Sequence, residues 1–182
     1  MCYTGGMESN KFNFCPECGS KAIETKMGGR KWLCPECGFD LYNNVASAVG
    51  LVIENDKGEV LFERRAKEPR KGFLALPGGF TEPDESGEGA ALRECKEEIG
   101  VEPLSVSYIC SYPNTYAYKG ITYKTCDMFF SAKLPPQAEL KAQQGEVSEF
   151  LWLKLESTED VEKCPIAFDS AKKTMLTWLA QK

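Results

Sequence analysis

Two short cysteine motifs near the start of the sequence constrain its fold more than any other feature. Cys-Pro-Glu-Cys-Gly occurs at residues 15–19 and again at residues 34–38, and fifteen residues separate the two cysteine pairs. Between them lie two short strand-like segments, 22–26 and 31–34, around a Gly-Gly turn. A unit of about 30 residues cannot normally build a sufficient core unaided. Four thiolates around one tetrahedral Zn²⁺ would supply the missing stability, with the ligands Cys15, Cys18, Cys34 and Cys37.

Other interpretations of these cysteines are free structural thiols or a redox C-x-x-C pair. The segment 12–44 resembles a zinc ribbon, in which a closed four-Cys site has no open coordination position, so we expect a structural role. Its few basic residues, such as Lys31, could contact nucleic acid or form a solvated face. Residues 1–11 are predicted to be a flexible tail.

The remainder of the chain, residues 45–182, has the size of one ordinary domain. Patterns of apolar residues and turn signals predict strands at 45–54, 59–65, 105–111, 122–132 and 149–153. The first two are expected to form a hairpin through Asn55-Asp56-Lys57-Gly58. Helices are predicted at 86–99, where Gly100 stops the helix, and at 170–180, entered at Asp169. This order of elements favours a mixed α/β sandwich.

Composition excludes several classes of function. The chain of 182 residues contains no histidine, which excludes Ser-His-Asp and Cys-His catalysis and His-ligated metals. Its longest weakly polar run, 45–53, has nine residues, whereas a membrane span needs about 20. The N-terminus lacks the basic start and apolar stretch of a signal peptide, so we expect a cytoplasmic protein whose cysteines are thiols or metal ligands.

The net charge of −5 is concentrated in one window. Residues 79–101 contain seven acidic and two basic residues, an excess equal to that of the whole chain. An acidic chain lacks the overall footprint of a protein that binds duplex nucleic acid. The acidic window indicates that cations are bound instead.

Three of these acids share one face of the predicted helix. At 100° per residue, Glu94, Glu97 and Glu98 fall within about 100° of one another. An apolar stripe that faces the core lies well away from them, formed by Ala91, Leu92, Cys95 and Ile99. Mg²⁺ or Mn²⁺ would relieve the repulsion between the carboxylates and could hold phosphate oxygens as well. The alternative is a solvated helix face with an Arg93–Glu97 ion pair.

The loop before this helix favours the metal site. Two glycines in Leu76-Pro77-Gly78-Gly79-Phe80 would let backbone approach a ligand closely. With the helix they match the Nudix box, G-x5-E-x7-R-E-U-x-E-E-x-G-U, in which U is a bulky aliphatic residue. The matching residues are Gly79, Glu85, Arg93, Glu94, Glu97, Glu98, Gly100 and Val101. Cys95 departs from the pattern, in an apolar position that a buried thiol can fill.

The resemblance to the Nudix family covers residues 45–182. It implies an α/β/α sandwich with a mixed sheet that hydrolyses nucleoside diphosphates linked to another moiety, using Mg²⁺ or Mn²⁺. It also implies roles for individual residues. The metal ligands would be Glu94, Glu97 and Glu98 with the carbonyl of Gly78; Arg93 would orient the carboxylates, Glu85 would support the metal shell, and Glu146, in preference to Glu149, would be the further glutamate that acts as base.

Substrate contacts are predicted from charge and aromatic residues. Basic residues such as Arg64 and Arg65 could bind phosphate or form a solvated connection. The aromatic side chains of Phe80, Tyr116 and Tyr118 could stack on a purine or belong to the core. A four-Cys ribbon before a Nudix box resembles the NADH pyrophosphatase branch, although residues 111–116 keep only the serine and first proline of that branch's S-Q-P-W-P-F-P tag.

NAD(H) or ADP-ribose are therefore the favoured substrates, and a homodimer is possible within this family. A rival hypothesis is a binding module, in which the ribbon recruits nucleic acid or protein and the Nudix domain senses a nucleotide. A capped-RNA or diphosphate-isomerase Nudix variant would share the same metal site.

Overall fold

The computed structural model describes residues 12–182, so the predicted tail lies outside the described residues. The chain divides into two compact units. The first contains residues 12–45 together with Thr115–Lys124, and the second contains Ala46–Asn114 and Thr125–Lys182. The sequence carries no sign that the segment Thr115–Lys124 belongs with the first unit.

The first unit contains a small antiparallel sheet of three strands, β1 (Glu24–Lys26), β2 (Lys31–Leu33) and β3 (Asp40–Tyr42), in that order. The turn between β1 and β2 uses positive φ angles of 63° at Gly28 and 93° at Gly29, which glycine adopts without strain. The predicted hairpin is therefore present. The third strand, β3, was not predicted from the sequence.

The second unit contains two further sheets. Its strands are β4 (Ala46–Ile53), β5 (Val60–Arg65), β6 (Leu74–Ala75), β7 (Ser105–Tyr118), β8 (Ile121–Lys133) and β9 (Val147–Leu153), of which β7 and β8 each extend into the first unit. One sheet has the order β4-β8-β7, with β4 parallel to β8. The other has the order β6-β5-β9 and is antiparallel.

The sequence predicted that the first two strands of the domain pair with each other as a hairpin. This prediction is wrong for the strand pairing beyond the turn. The turn itself forms, since the Asn55 N–H donates to the Glu59 carbonyl at 2.9 Å and Glu54 bridges Val60. Beyond that bridge β4 pairs with β8 and β5 pairs with β6 and β9. The two strands diverge into different sheets, in which eight residues of β4 pair with β8 and six residues of β5 pair with β9.

The central helix begins where the sequence predicts. Helix α1 (Gly87–Glu94) is capped by the Ser86 hydroxyl, which accepts from the Gly89 N–H. It continues as a π-helical turn, Cys95–Ile99, and ends at Gly100, whose φ of 78° is left-handed. Turns of this kind are wider than an α-helix and occur often at functional sites.

Two helices follow β9. Helix α2 (Thr158–Lys163), which was not predicted, begins with a reciprocal capping box between Ser157 and Asp160. Helix α3 (Asp169–Ala180) matches the predicted terminal helix. Within residues 12–182, no helix is long and apolar enough to cross a membrane.

The core of the second unit has two layers on opposite faces of the strands. Neighbouring strand residues alternate between them, as at Leu51 and Val52 or at Phe129 and Phe130. One layer packs against α1 and the π-helical turn that follows it, through Ala90, Ala91, Cys95 and Ile99. The other layer packs against α3 through Ala171 and Met175. Helices therefore cover both faces, and the predicted α/β/α arrangement is confirmed.

Candidate functional site

The four cysteines of the paired motifs converge on one point in the first unit. Their Sγ atoms all lie within 4.8 Å of one another, with Cys15 and Cys37 3.6 Å apart and Cys18 and Cys34 3.7 Å apart. Four sulfurs about 2.3 Å from a tetrahedral Zn²⁺ would be separated by about 3.8 Å. The donor set and its spacing therefore fit zinc.

Both cysteine turns have the same backbone geometry. In the first, the Gly19 N–H donates to the Cys15 carbonyl at 2.9 Å, and in the second the Gly38 N–H donates to the Cys34 carbonyl at 2.9 Å. Gly19 and Gly38 have φ angles of 73° and 79°, a region that favours glycine. The repeated Cys-Pro-Glu-Cys-Gly sequence thus builds the same turn twice and presents two thiols from each.

In the second unit, the glycine loop runs along the edge of β4. The Leu51 N–H donates to the Pro77 carbonyl and the Val49 N–H to the Gly79 carbonyl, both at 2.8 Å. At Gly78, φ is 145° and an added Cβ would lie 2.2 Å from the Val49 carbonyl oxygen. A Cβ on Gly79 would lie 2.5 Å from a carboxylate oxygen of Glu94. One glycine therefore makes room for β4, and the other makes room for the acidic helix.

Arg93 organises the acidic side chains around this loop. Its Nε and Nη2 atoms donate to the two oxygens of Glu85 at 3.0 Å each, and Nη2 also donates to the Phe80 carbonyl at 3.0 Å. Its Nη1 atom donates to Glu94 at 2.8 Å and to Glu97 at 3.2 Å. The hydrogen bonds from Arg93 lower the pKa of Glu85. One guanidinium thus holds three carboxylates in fixed positions.

The three predicted ligands differ in burial. Glu94 and Glu98 are only 8% and 7% exposed, whereas Glu97 is exposed. Burial raises the pKa of Glu94. Burial also raises the pKa of Glu98 to about 7, although its Oε2 accepts from the Gly78 N–H at 2.7 Å. The π-helical turn departs from a projection at 100° per residue, and the three side chains do not have a common environment.

A fourth acid, Glu63, was missed in the sequence. It lies on β5, is 4% exposed, and shares a hydrogen bond with Glu98. Burial, together with the charge of Glu98, raises the pKa of Glu63 to about 10. Its Oε1 atom has no hydrogen-bond partner among the residues that the structure describes. The signal in the sequence is an acidic residue that directly follows the apolar residues Val60-Leu61-Phe62 within the predicted strand 59–65. The structure shows that this acid is buried with them.

These acids fit a divalent cation. Three buried carboxyl groups lie together with raised pKa values, and one oxygen has no donor. Carboxylate oxygens are the ligands that Mg²⁺ and Mn²⁺ prefer. A cation at this position would offset the unfavourable burial of negative charge. Among residues 12–182, the four cysteines are the group whose ligand atoms all lie within 4.8 Å of one another.

The two candidate bases differ in their surroundings. Glu146 pairs with Lys67 at 2.5 Å, and its charge contributes to the raised pKa values of Glu94 and Glu98. Glu149 lies inside β9 and pairs with Arg64. The charge of Glu146 therefore reaches the buried carboxylates, while the side chain of Glu149 is paired with Arg64.

The predicted substrate residues belong to both units, and each has its own surroundings. Arg64 is held by Glu149 and by the Gly72 carbonyl. Arg65 lies over the Phe168 ring at 5.1 Å and donates to the Pro69 carbonyl, while its Nη2 atom finds no hydrogen-bond partner in the described part of the chain. The side chain of Phe80 is 40% exposed. The ring centroids of Tyr116 and Tyr118 are 6.4 Å apart, and both residues belong to the first unit.

Comparison with known proteins identifies the family to which the chain belongs. The family described as NUDIX domain matches residues 45–179, which is more than half of the chain. The chain belongs to the Nudix family, and the predicted resemblance to that family is confirmed.

Curated relatives support this assignment. An NAD-capped RNA hydrolase NudC of Deinococcus radiodurans is 30% identical over 165 residues, which cover 89% of this chain and 55% of the relative. An ADP-ribose pyrophosphatase of Methanocaldococcus jannaschii is 43% identical over 74 residues, covering 41% of this chain and 43% of the relative. The chain thus spans about half the length of these curated relatives.

Solved structures agree with the fold. A NUDIX hydrolase from Nitrosomonas europaea superposes with a TM-score of 0.65 and 26% identity, covering 93% of this chain and 91% of that one. The NUDIX domain of Shewanella oneidensis NrtR, complexed with ADP ribose, superposes with a TM-score of 0.59 and 28% identity, covering 77% of this chain and 88% of that one.

Proposed function

We propose that this protein hydrolyses the pyrophosphate bond of a nucleoside diphosphate linked to another moiety, with Mg²⁺ or Mn²⁺, and that NAD(H) or ADP-ribose is the substrate. The observation that carries the proposal is the group of buried acids, Glu63, Glu94 and Glu98, beside the glycine loop. The names of the relatives, which refer to NAD caps and ADP-ribose, support the choice of substrate.

The ion would be held by Glu94, Glu97 and Glu98 with the carbonyl of Gly78, and it would neutralise the diphosphate and lower the pKa of bound water. The chain itself fixes these ligands before the ion binds. Arg93 holds Glu94 and Glu97, and the Gly78 N–H holds Glu98. Glu85 keeps the Arg93 guanidinium in place through two hydrogen bonds.

Glu146 is the proposed general base. Its ion pair with Lys67 keeps the carboxylate near the acidic group without burying it. A base needs to be within one water of the proton that it removes, and the effect of the Glu146 charge on Glu94 and Glu98 supports its choice.

We also propose that residues 12–44 form a structural zinc ribbon and that residues 45–182 form the hydrolase domain. The four-Cys site has no open position for substrate, so its Zn²⁺ would stabilise the ribbon rather than take part in hydrolysis. A cytoplasmic location and a homodimer stay predictions.

The second candidate is a binding module that recruits nucleic acid or protein and senses a nucleotide. Cation–aromatic pairs in the first unit favour it: Lys31 lies 4.9 Å from the Tyr42 ring and Lys119 lies 5.2 Å from the Tyr118 ring. In proteins that bind single-stranded nucleic acid, aromatic rings stack on the bases and basic side chains follow the phosphate backbone. A binding module would give an electrophoretic shift with RNA or DNA at physiological salt and no turnover of dinucleotides.

A substrate panel tests the proposed function. NAD⁺, NADH, ADP-ribose, diadenosine polyphosphates and FAD are each incubated with Mg²⁺ or Mn²⁺, and the products are identified. We expect cleavage at the pyrophosphate bond, giving a nucleoside monophosphate and a second phosphate ester, with NAD(H) or ADP-ribose turned over fastest. Absence of turnover on every member would contradict the proposal.

Substituting Gly79 tests the contact between the loop and the acidic helix. In Gly79→Ala, the new methyl group would displace the Glu94 carboxylate, so we expect Mn²⁺ affinity and turnover to fall about 10–100-fold. The melting temperature should change little, since the atoms that have to move are the end of the Glu94 side chain rather than backbone. Calorimetry with Mn²⁺ and thermal melting measure the two effects.

Gly89→Ala is the matched control. A Cβ there would make ordinary contacts at 3.4 Å with Glu85 and Ser86, and alanine favours the helix. We expect metal affinity and turnover to stay at the wild-type level. Wild-type Mn²⁺ affinity in Gly79→Ala would show that the position of Glu94 does not matter for the ion.

A further inference from the structure

One buried acid, Glu63, is absent from the set of metal ligands predicted from the sequence. It lies on β5 and is only 4% exposed. Leu61, two residues earlier on the same strand, packs with the core layer that contacts α1, so the Glu63 side chain points to the same side of the sheet. Ionisable groups that are buried to this extent are normally paired with an opposite charge or bound to a metal.

Strand pairing brings Glu63 to the start of the glycine loop. Glu63 pairs with Ala75 on β6, and the chain reaches Gly78 three residues after Ala75. The Gly78 N–H donates to Glu98 at 2.7 Å, and Glu98 also shares a hydrogen bond with Glu63. Strand β5, the glycine loop and the π-helical turn therefore each bring a polar group to the same position.

The protein leaves one oxygen of Glu63 without a donor. Its Oε1 atom is buried and has no hydrogen-bond partner within residues 12–182. The charge of Arg65 acts on Glu63, but the Arg65 Nε atom donates to the Pro69 carbonyl. Buried acceptors in native proteins are almost always paired, so this oxygen indicates a bound water or ion. A water would leave the negative charges of Glu63 and Glu98 unbalanced, whereas a cation would satisfy the oxygen and offset both charges.

We propose that Glu63 is a further ligand of the divalent cation and binds it through Oε1, together with Glu98. The proposal rests on the proposed function, since it concerns the same cation. A ligand on β5 attaches the cation to the sheet as well as to the acidic helix and the glycine loop. The carboxylates repel one another until the ion binds, so their oxygens need not meet as closely as the cysteine sulfurs do.

Glu63→Gln tests whether this carboxylate binds the ion. Glutamine has the same shape, and its amide can still donate to Glu98, but the negative charge is lost. Mn²⁺ affinity is measured by calorimetry without nucleotide. We expect a loss at least as large as the roughly 10–100-fold that follows removal of a residue that supports a metal ligand. Thermal melting without metal checks that the variant is folded.

Glu63→Asp distinguishes direct binding from attraction at a distance, and it is the second variant in case Glu63→Gln does not fold. Aspartate keeps the charge but has one methylene fewer, so its carboxylate is drawn back from the ion. We expect at least about a 10-fold loss of Mn²⁺ affinity, whereas a charge that acts from a distance would change the affinity little. Asp56→Asn is the matched control: it removes one negative charge from the exposed turn before β5 and should keep the wild-type affinity.

Binding of Mn²⁺ and hydrolysis of the substrate panel are measured separately, so the two proposals can fail independently. Wild-type Mn²⁺ affinity in either Glu63→Gln or Glu63→Asp would overturn the role of Glu63 as a ligand, and hydrolysis by the wild type would then still support the proposed function. Loss of affinity in both variants, without hydrolysis of any dinucleotide by the wild type, would support the ligand and overturn the function. If the wild type binds no Mn²⁺, with or without nucleotide, both proposals fail.

Discussion

Replacing Glu98 with glutamine is expected to reduce hydrolysis by roughly 10³-fold while the protein stays folded. Glutamine has the same shape, and its amide oxygen can still accept from the Gly78 N–H, so the loop contact is retained. Glutamine lacks the negative charge that stabilises a bound divalent cation. Glu97→Gln should give a loss of the same order, because this exposed carboxylate is also a proposed ligand. Steady-state kinetics at saturating Mg²⁺ and thermal melting measure both effects.

The control for these variants is Glu88→Gln, on the exposed side of α1 and outside the acidic group. It removes one charge from the same helix and should keep wild-type turnover. Wild-type rates in Glu97→Gln or Glu98→Gln would refute the assignment of the metal ligands.

Stability should respond in the opposite direction to activity. Glu98 is buried beside Glu63 and Glu94, and burial without a cation disfavours its ionised form. We expect metal-free Glu98→Gln to melt no lower than the metal-free wild type. Carboxylates that are held close together before their cation binds repel one another and reduce the stability of the fold. Such a loss of stability is common at functional sites.

The features predicted correctly are those that depend on short stretches of sequence. The cysteine turns, the start of the central helix next to Ser86 and its stop at Gly100 each follow from the chemistry of a few consecutive residues. The spacing within one helix likewise brings Arg93 next to Glu94 and Glu97. These contacts do not depend on how distant strands pair.

The features that were missed depend on strand pairing and burial. Glu63 joins the acidic group because β5 places it on the α1 side of its sheet, and no local pattern shows that Glu98 lies opposite. Asp127 on β8 is buried and accepts a hydrogen bond from the Ser170 hydroxyl, 43 residues further along the chain, and no local pattern shows this contact. The division of β4 and β5 between two sheets has the same origin, since both strands choose partners from the second half of the chain.

Removing zinc is expected to unfold the first unit. Among the described residues of this unit, the buried apolar side chains are Trp32 and the cysteines Cys15 and Cys34, which is too small a core to be stable alone. Structural zinc sites in small units contribute about 10–16 kcal/mol of apparent binding energy, which is also folding energy. We expect one zinc per chain by elemental analysis. A strong chelator, or Cys34→Ser, should open this unit to trypsin at Lys21, Lys26, Arg30 and Lys31.

Cys126→Ser is the control for this experiment, because Cys126 is exposed and lies in the second unit, outside the cluster. It should retain one zinc per chain and resist trypsin as the wild type does. If the wild-type protein contains no zinc and its ribbon still resists trypsin, the four thiols hold the unit together without a metal, and free structural thiols become the better interpretation. If chelation also stops hydrolysis in the presence of excess Mg²⁺, the ribbon contributes to activity, contrary to a purely structural role.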